Sequence, residues 1–391
     1  MKLKSCSDKV IYIHIPFCRS FCTYCDFYSE IAARCRKADG PSLFTEYGRA
    51  VALEALARRE EITDEVNTLY IGGGTPSVLP LSVFSTIMEA LAETGHGGPY
   101  DEFTVEVNPD DIIERGHSYV EGLLELGVTR ISMGVQSFDD GILRWMNRRH
   151  DSPAARMAYA ILEEAGADNI SIDLIFGLPQ LSETRWRDTL SAALDISPNG
   201  LIPKHISAYQ LSVEPGSALA GLVEKGKWSE ASEELCAAQY EIMCGTLAAA
   251  GYNHYEISNF ALPGHEALHN SAYWRHIPYV GLGPAAHSFM GNVRQWNSPD
   301  LHSYLEAARA GNFEQIRDGE TLTGEQIALE HIMLALRTSE GIPYDYLKSC
   351  SDPAVLSGLI EGGHLVTLGT GKVRIPENRF FISDSIISEL V

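Results

Sequence analysis

The sequence predicts an α/β fold in which a parallel, barrel-like core is followed by a small α+β domain. Six strand patterns alternate with helical patterns up to Leu211, and polar or sulfur-bearing side chains recur where these strands end. Strands that alternate with helices form parallel sheets. Barrel enzymes collect functional groups at the carboxyl ends of many strands, whereas an open doubly wound sheet concentrates them at one switch point. The spread of these residues therefore favours a barrel.

Each predicted element of the core follows from local pattern. Short apolar runs predict strands at residues 10–14, 66–71, 103–107, 129–135, 169–176 and 204–211. Helical periodicity predicts helices at residues 44–59, 81–91, 119–126, 140–146, 153–165 and 186–196. In the first helix we expect Leu53, Leu56 and Ala57 to form the buried face, and Gly127 is expected to end the third helix.

The remainder of the chain is predicted to be mostly helical. A long helix over residues 232–250 precedes a polar, aromatic region at 252–296 with few clear strands. Helices follow at residues 301–310, 325–335, 345–350 and 353–361, and a hairpin follows at 365–375. Three helices and a hairpin indicate a winged-helix-like domain, which we expect to act as a lid or brace on the barrel. We place the domain limits at residues 1–230, 231–310 and 311–391.

Composition narrows the class of protein. The 391 residues carry a net charge of −22 with a pI near 4.9, which argues against a nucleic-acid partner or an anionic membrane surface. The first nine residues contain no apolar run, and no later segment is apolar for long enough to span a bilayer. We therefore expect a cytoplasmic protein. In that compartment, the eight cysteines are expected to be ligands and core thiols rather than disulfides.

Three cysteines follow the first strand with C-x3-C-x2-C spacing, at Cys18, Cys22 and Cys25. One loop with this spacing can direct three thiolates at one metal cluster. A [4Fe-4S] cluster normally has four protein thiolates, so three would leave one iron open to another ligand. The alternatives are a zinc site or three unrelated buried thiols. Zinc sites favour a second cysteine or histidine pair, which is absent downstream.

The cysteine loop, flanked by Tyr12, Phe21, Tyr24 and Phe27, resembles that of the radical SAM superfamily. The resemblance implies that S-adenosylmethionine binds the open iron and that the core is a partial (β/α)6 barrel. It extends over nearly the whole chain to the branch that contains oxygen-independent coproporphyrinogen III dehydrogenases and HemW-type haem chaperones.

The resemblance implies a set of cofactor-binding residues at successive strand ends. The residues implied to bind S-adenosylmethionine are Tyr12, Tyr24, Gly73, Gly74, Thr75, Glu106, Gln136, Arg148 and Asp173. Backbone amides at glycines can approach a carboxylate closely, and Glu106 would accept hydrogen bonds from the ribose. The glycines could instead form an ordinary βα turn, Arg148 a solvated surface charge, and Asp173 a helix N-terminal partner. In the dehydrogenases Gln136, Arg148 and Asp173 would serve a second S-adenosylmethionine.

Two departures separate the chain from the dehydrogenases. They carry a fourth cysteine where this chain has Phe27, and a longer segment before the tyrosine. The H-N-x-x-Y-W pattern of HemW-type proteins is present instead, and it implies a haem site at His269, Asn270, Tyr273 and Trp274. Histidine can ligate haem iron and tryptophan can stack on a porphyrin. The alternatives are a core-packed aromatic loop in which His269 bonds a backbone carbonyl, or ligation by the nearby His265, His276 or His287.

The sequence therefore predicts a haem chaperone on a radical SAM scaffold. Its expected cofactors and ligands are a [4Fe-4S] cluster, S-adenosylmethionine and haem. Its expected partners are a haem-accepting protein and a reductant such as flavodoxin or an NAD(P)H-linked donor, with any membrane encounter occurring through the acceptor. The alternatives are an oxygen-independent coproporphyrinogen III dehydrogenase and a radical SAM enzyme acting on an unrelated substrate.

Overall fold

The computed structural model describes residues 9–32, 42–62 and 66–391. The first eight residues lie outside these ranges, as does Cys35. The strands of the main sheet are β1 Lys9–Ile15, β4 Val66–Gly73, β5 Glu102–Val107, β6 Arg130–Gln136, β7 Ile170–Phe176, β8 His205–Gln210, β9 Asn253–Glu256, β10 Asn259–Ala261, β11 Tyr279–Leu282, β12 His287–Met290, β13 Val293–Asn297 and β14 Arg317–Thr321. Small sheets contain β2 Phe17–Cys18 with β3 Glu30–Ile31, and β15 Ile342–Pro343, β16 Val366–Thr367 and β17 Lys372–Arg374.

The main sheet is an incomplete barrel. Its strand order is β14-β13-β12-β11-β1-β4-β5-β6-β7-β8-β10-β9, and the run from β11 to β8 is parallel throughout. The terminal strands β14 and β9 do not pair with each other in the described residues, so the barrel stays open. The six predicted strands are confirmed to within about two residues. The expectation of few strands in residues 252–296 is wrong, because β9 to β13 lie there and extend the sheet at both ends.

Helices cover the outside of the sheet and build the C-terminal part of the chain. They are α1 Leu43–Ala57, α2 Leu81–Glu93, α3 Pro109–Arg115, α4 His117–Glu125, α5 Asp140–Trp145, α6 Ser152–Glu164, α7 Glu183–Leu194, α8 Ala218–Glu224, α9 Glu233–Ala249, α10 Leu268–Trp274, α11 Leu301–Ala310, α12 Gly324–Ala335, α13 Tyr344–Cys350, α14 Pro353–Glu361 and α15 Ser383–Leu390. None of the helices in the described ranges is both long and apolar enough to cross a membrane.

The buried face of α1 differs from the prediction. Leu53 is 48% exposed, and the fully buried residue beside it is Glu54. The Glu54 carboxylate accepts hydrogen bonds from Tyr304 Oη at 2.7 Å and Asn297 Nδ2 at 2.8 Å, and it lies 3.6 Å from the Arg58 guanidinium. A buried carboxylate is tolerated when it is paired and hydrogen-bonded in this way. These contacts attach α1 to α11 and to the added strand β13.

The C-terminal elements agree with a winged-helix-like arrangement. Helices α12, α13 and α14 precede the antiparallel pair β16 and β17, and β15 adds a third strand. Strand β14 lies before them and pairs with β13, so it belongs to the main sheet. Of the scattered cysteines that the structure describes, Cys236 is buried and Cys244 packs against the core, whereas Cys350 is exposed.

Candidate functional site

A cavity of about 910 Å³ opens at the carboxyl ends of the parallel strands. The last residues of β4, β6 and β8 line it, namely Gly73, Gln136 and Gln210, together with the loop that carries the three cysteines. This is the end of a parallel barrel at which functional groups gather, because the strand-to-helix loops all open there. The residues predicted to bind S-adenosylmethionine line this cavity, with the exception of Tyr12.

The cysteine loop contributes three thiols to the cavity wall. The Cys18 Sγ lies 3.3 Å from the Thr75 hydroxyl, and the Cys22 Sγ lies 3.4 Å from the Arg148 guanidinium. Burial raises the pKa of the Cys18 thiol, and it raises the pKa of Cys25 to about 12. These thiols therefore stay protonated at neutral pH until a metal displaces their protons.

The arrangement of these thiols bears on the choice between zinc and a cluster. Across residues 9–32, 42–62 and 66–391, no three or more histidine, cysteine, aspartate or glutamate side chains are placed to hold a metal ion. A mononuclear zinc site requires its ligands around one point. A [4Fe-4S] cluster has a different requirement, since each thiolate binds a different iron. The spacing and the shared cavity fit a cluster better than zinc.

Arg148 belongs to the cavity wall and is not a solvated surface charge. Its Nη2 donates hydrogen bonds to the Gly134 carbonyl at 2.6 Å and to Asn108 Oδ1 at 2.7 Å, while Nη1 faces Cys22. The guanidinium therefore faces one of the three sulfurs of the cysteine loop. Asn108 also donates to the Thr75 hydroxyl at 3.2 Å. Only the position of Asn108 directly after β5 could have indicated this role from the sequence.

Gly73 and Gly74 are required by geometry. Gly73 has φ +105°, and a Cβ there would lie 2.6 Å from the His14 ring. A Cβ on Gly74 would lie 2.7 Å from the Phe17 carbonyl oxygen and 3.1 Å from Cys18 Sγ. The Gly74 amide donates to the Ile15 carbonyl at 2.8 Å, which fixes the turn against the end of β1. Any larger residue would push the cysteine loop away from β4.

Glu106 on β5 lies deep in the cavity. Its carboxylate accepts hydrogen bonds from Tyr70 Oη at 2.6 Å and from the Gly73 amide at 3.1 Å. Burial raises the pKa of Glu106 to about 7, and the hydrogen bond from Tyr70 opposes that shift. Each carboxylate oxygen keeps one further acceptor position, as binding a ribose diol would require. Tyr70 was missed by sequence reasoning, because nothing marks it within an apolar strand.

Gln136 and Asp173 also face the cavity from the neighbouring strands. Gln136 has φ +67°, a left-handed conformation that is uncommon for a residue other than glycine, at an irregularity between β6 and β7. Asp173 lies within β7 and accepts a hydrogen bond from the Ser132 hydroxyl at 3.2 Å. Burial raises the pKa of Asp173. Asp173 therefore does not act as a partner for a helix N-terminus.

The two aromatic residues implied to flank the cofactor differ in position. Tyr24 lines the main cavity. Tyr12 lines a second cavity of about 480 Å³ and stacks on Tyr70, with 6.1 Å between ring centroids. Phe27, which stands where the dehydrogenases have a fourth cysteine, is 65% exposed and lines both cavities.

The H-N-x-x-Y-W motif forms helix α10, which packs on the barrel rather than forming a loop. The Glu102 carboxylate of β5 accepts hydrogen bonds from the Leu268 and His269 amides at 2.8 and 3.1 Å, and so caps the helix. His269 is 1% exposed, its Nδ1 lies 2.9 Å from Thr68 Oγ1, and its Nε2 lies 3.0 Å from Tyr273 Oη. Both ring nitrogens are therefore occupied.

The four motif residues do not converge on one site. Asn270 lines the main cavity and Tyr273 the second cavity, whereas His269 and Trp274 line neither of these two. Burial lowers the pKa of His269 to about 3, so its ring is neutral. Ligation of haem iron by His269 would require the loss of a buried hydrogen bond.

The predicted substitute ligands also differ in position. His287 lines the second cavity. His276 Nε2 lies 3.2 Å from Glu330, and its ring stacks on Phe289. His265 lies between β10 and α10 and lines neither cavity.

Comparison with known proteins finds related sequences and a solved structure with a similar fold. Residues 12–193 match the family model described as the radical SAM superfamily. The chain is 33% identical over 364 residues to heme chaperone HemW of Bacillus subtilis (strain 168), covering 91% of this chain and 92% of the relative. It is 33% identical over 344 residues to heme chaperone HemW of a Synechocystis strain, covering 86% and 80%. The structure of coproporphyrinogen III oxidase (HemN) from Escherichia coli, described as a radical SAM enzyme, is similar with a TM-score of 0.77 at 22% identity, over 97% of this chain and 89% of that chain.

Proposed function

Because the chain belongs to the radical SAM superfamily and, within it, to the family of proteins named heme chaperone HemW, we propose that it binds haem and delivers it to an acceptor protein. The similarity to these relatives over most of both chains carries the proposal. The likeness to the coproporphyrinogen III oxidase supports the fold alone, because the two sequences are only 22% identical.

Membership in the superfamily implies a [4Fe-4S] cluster and S-adenosylmethionine. When bound, the cluster supplies an iron with an open coordination position and a reducing electron. Cys18, Cys22 and Cys25 would hold it, since all three line one cavity. Arg148 would stabilise the thiolate of Cys22, and the Thr75 hydroxyl would donate to Cys18. A reductant such as flavodoxin or an NAD(P)H-linked donor would supply the electron.

We propose that S-adenosylmethionine lies along the strand ends between the cysteine loop and Glu106. The Gly73–Gly74–Thr75 turn would face its amino-acid end, and Glu106 would accept hydrogen bonds from its ribose. The remaining residues proposed to contact it are Tyr24, Gln136, Arg148 and Asp173, all of which line the same cavity. Tyr12 would act indirectly, because it stacks on Tyr70, which in turn donates to Glu106.

Phe27 favours the chaperone over the dehydrogenase. A thiol near the cluster loop is absent at this position, and an exposed aromatic ring takes its place between the two cavities. An exposed aromatic ring suits contact with a flat apolar ligand. The dehydrogenase reaction remains the competing outcome of the experiment.

The test is anaerobic reconstitution with iron and sulfide, followed by titration with haem. The loaded protein is then mixed with apomyoglobin as a general acceptor, and coproporphyrinogen III is offered to a parallel sample. We expect stoichiometric haem binding, transfer to the acceptor and no decarboxylated product. Protoporphyrinogen formation with 5′-deoxyadenosine release and no tight haem site would contradict the proposal.

A pair of variants separates the cluster from general thiol chemistry. Cys22→Ala should abolish the stoichiometric iron and sulfide of the reconstituted protein. Cys350→Ala is the matched control, because Cys350 is exposed on α13 in the C-terminal part of the chain. Equal cluster content in both variants would contradict the assignment of Cys22 as a ligand.

A further inference from the structure

The second cavity has the composition of a site for a large flat ligand. Its volume of about 480 Å³ is within the range of roughly 300–1,000 Å³ that is usual for small-molecule sites. Tyr12, Tyr273 and Tyr279 contribute aromatic rings from β1, α10 and β11. Phe27 and Tyr28 belong to the segment that follows Cys25, and they line both this cavity and the main one. The second cavity therefore adjoins the cysteine loop.

Two histidines, His14 and His287, line this cavity. They differ in whether their ring nitrogens form hydrogen bonds within the described residues. His14 lies with its Nε2 2.8 Å from the Tyr28 carbonyl oxygen and its Nδ1 3.1 Å from Tyr12 Oη, so both nitrogens are occupied. His287 is exposed on β12, and neither of its ring nitrogens has a hydrogen-bond partner among the residues that the structure describes. Its ring stacks on Trp296 with 5.8 Å between centroids, which fixes its orientation.

The ionisation of the lining side chains distinguishes histidine from tyrosine as a metal ligand. Burial raises the pKa of the Tyr12, Tyr273 and Tyr279 hydroxyls, so their phenolate forms are costly at neutral pH. The exposed His287 ring, whose nitrogens have no hydrogen-bond partner among the described residues, has a lone pair available. Neutral imidazole is the usual protein ligand of haem iron.

The H-N-x-x-Y-W helix α10 contributes part of the wall of the second cavity. His269 is buried behind the cavity, and its Nε2 lies 3.0 Å from the Tyr273 hydroxyl, which holds the Tyr273 ring in the cavity wall. Tyr273 also meets Tyr279 edge to face, with 4.9 Å between ring centroids. These contacts suit a residue that positions an aromatic wall.

We infer that the second cavity is the haem site of the proposed chaperone and that an imidazole nitrogen of His287 donates its lone pair to the haem iron. The inference rests on the proposed function. The rings of Tyr12, Tyr273 and Tyr279 line the same cavity and supply apolar faces for the porphyrin. Phe27 lines both this cavity and the main one, so it would separate a ligand here from the cysteine loop.

The test is a titration of the reconstituted protein with ferric haem, followed by tryptophan fluorescence and by electron paramagnetic resonance of the haem iron. His287→Ala should weaken haem binding roughly tenfold or more and change the spin state of the iron. Added imidazole should restore the spectrum of the unmodified protein in this variant. His276→Ala is the matched control, since His276 lies nearby but bonds to Glu330, and it should bind haem as the unmodified protein does.

The outcomes separate this inference from the proposed function. If the unmodified protein binds haem and His287→Ala leaves both affinity and spectrum unchanged, the assignment of His287 is overturned while the chaperone function stands. If His269→Ala rather than His287→Ala removes the ligand signal, and imidazole restores it, the iron is bound by the motif histidine and the inference is wrong. If the unmodified protein binds no haem, the proposed function fails.

Discussion

Replacing Glu106 by glutamine should remove a pH dependence from the stability of the cofactor-free protein. Burial raises the pKa of Glu106 from 4.5 to about 7. A carboxyl group whose pKa is raised on folding binds its proton more tightly in the native state. The free energy of unfolding therefore falls as the pH rises from 4.5, and it levels off above 7. Glutamine carries no titrating proton, so the variant lacks this contribution.

The size of the effect follows from the two pKa values. Their difference corresponds to about 3 kcal/mol for a group without solvent contact. Glu106 is partly exposed to the cavity, and solvent screening there reduces the expected change to about 1–3 kcal/mol.

Urea unfolding of the cofactor-free protein at several pH values between 5 and 8.5 measures the effect. Between pH 5 and 8.5, we expect the free energy of unfolding of the unmodified protein to fall by about 1–3 kcal/mol relative to that of Glu106→Gln. Glu256, whose pKa burial also raises to about 7, is present in both proteins, so its contribution cancels. Glu256 lies outside the cavity, and its pKa is raised in the same direction. Glu256→Gln should therefore also reduce the fall of stability with pH, and it serves as a control. Parallel pH profiles for the unmodified protein and Glu106→Gln would refute the reasoning.

Three other replacements probe the scaffold and the cysteine loop. Glu54→Ala should cost about 3–5 kcal/mol in urea unfolding, because the buried donors of Tyr304, Asn297 and Gly283 lose this acceptor; a loss below 1 kcal/mol would contradict this. Arg148→Met should speed the loss of iron to a chelator roughly tenfold, because Cys22 loses its neighbouring cation; unchanged kinetics would count against it. Gly74→Ala should reduce the cluster content after reconstitution, because its Cβ would press against Cys18; full iron and sulfide content would show that the loop tolerates it.

The sequence predicted the parts of the fold that local pattern determines. The six core strands are buried on both faces, so they read as nearly continuous apolar runs. The three cysteines and the run of glycines after β4 were readable because each is a local pattern, whereas the contacts of Gly73 and Gly74 with His14 and Phe17 join distant parts of the chain. The face of α1 was not, because Glu54 is charged, and hydrophobic periodicity assigns a charged residue to the surface.

The strands beyond residue 252 were not predicted, for a different reason. Strands β9 to β13 are three to five residues long and contain many polar side chains, so their pairing depends on partners that are distant in sequence. The same reason applies to the site. The pattern around His269 predicts a haem ligand, but it does not show that Thr68, which lies 201 positions away in the chain, is bonded to one of its nitrogens. His287 was only one of three substitute ligands, because no local pattern shows which ring remains unbonded.

The position of β1 in the sheet also determines the order in which the protein can be completed during synthesis. Its neighbour β4 follows early in the chain, but its other neighbour, β11, begins only at Tyr279. Every lining residue of the main cavity except Asn270 precedes Ala218, whereas the second cavity needs both Tyr12 and residues up to Pro299. The cysteine loop and its strand ends can thus assemble on the ribosome while one edge of β1 is still unpaired. The aromatic cavity beside them exists only after the later strands have docked.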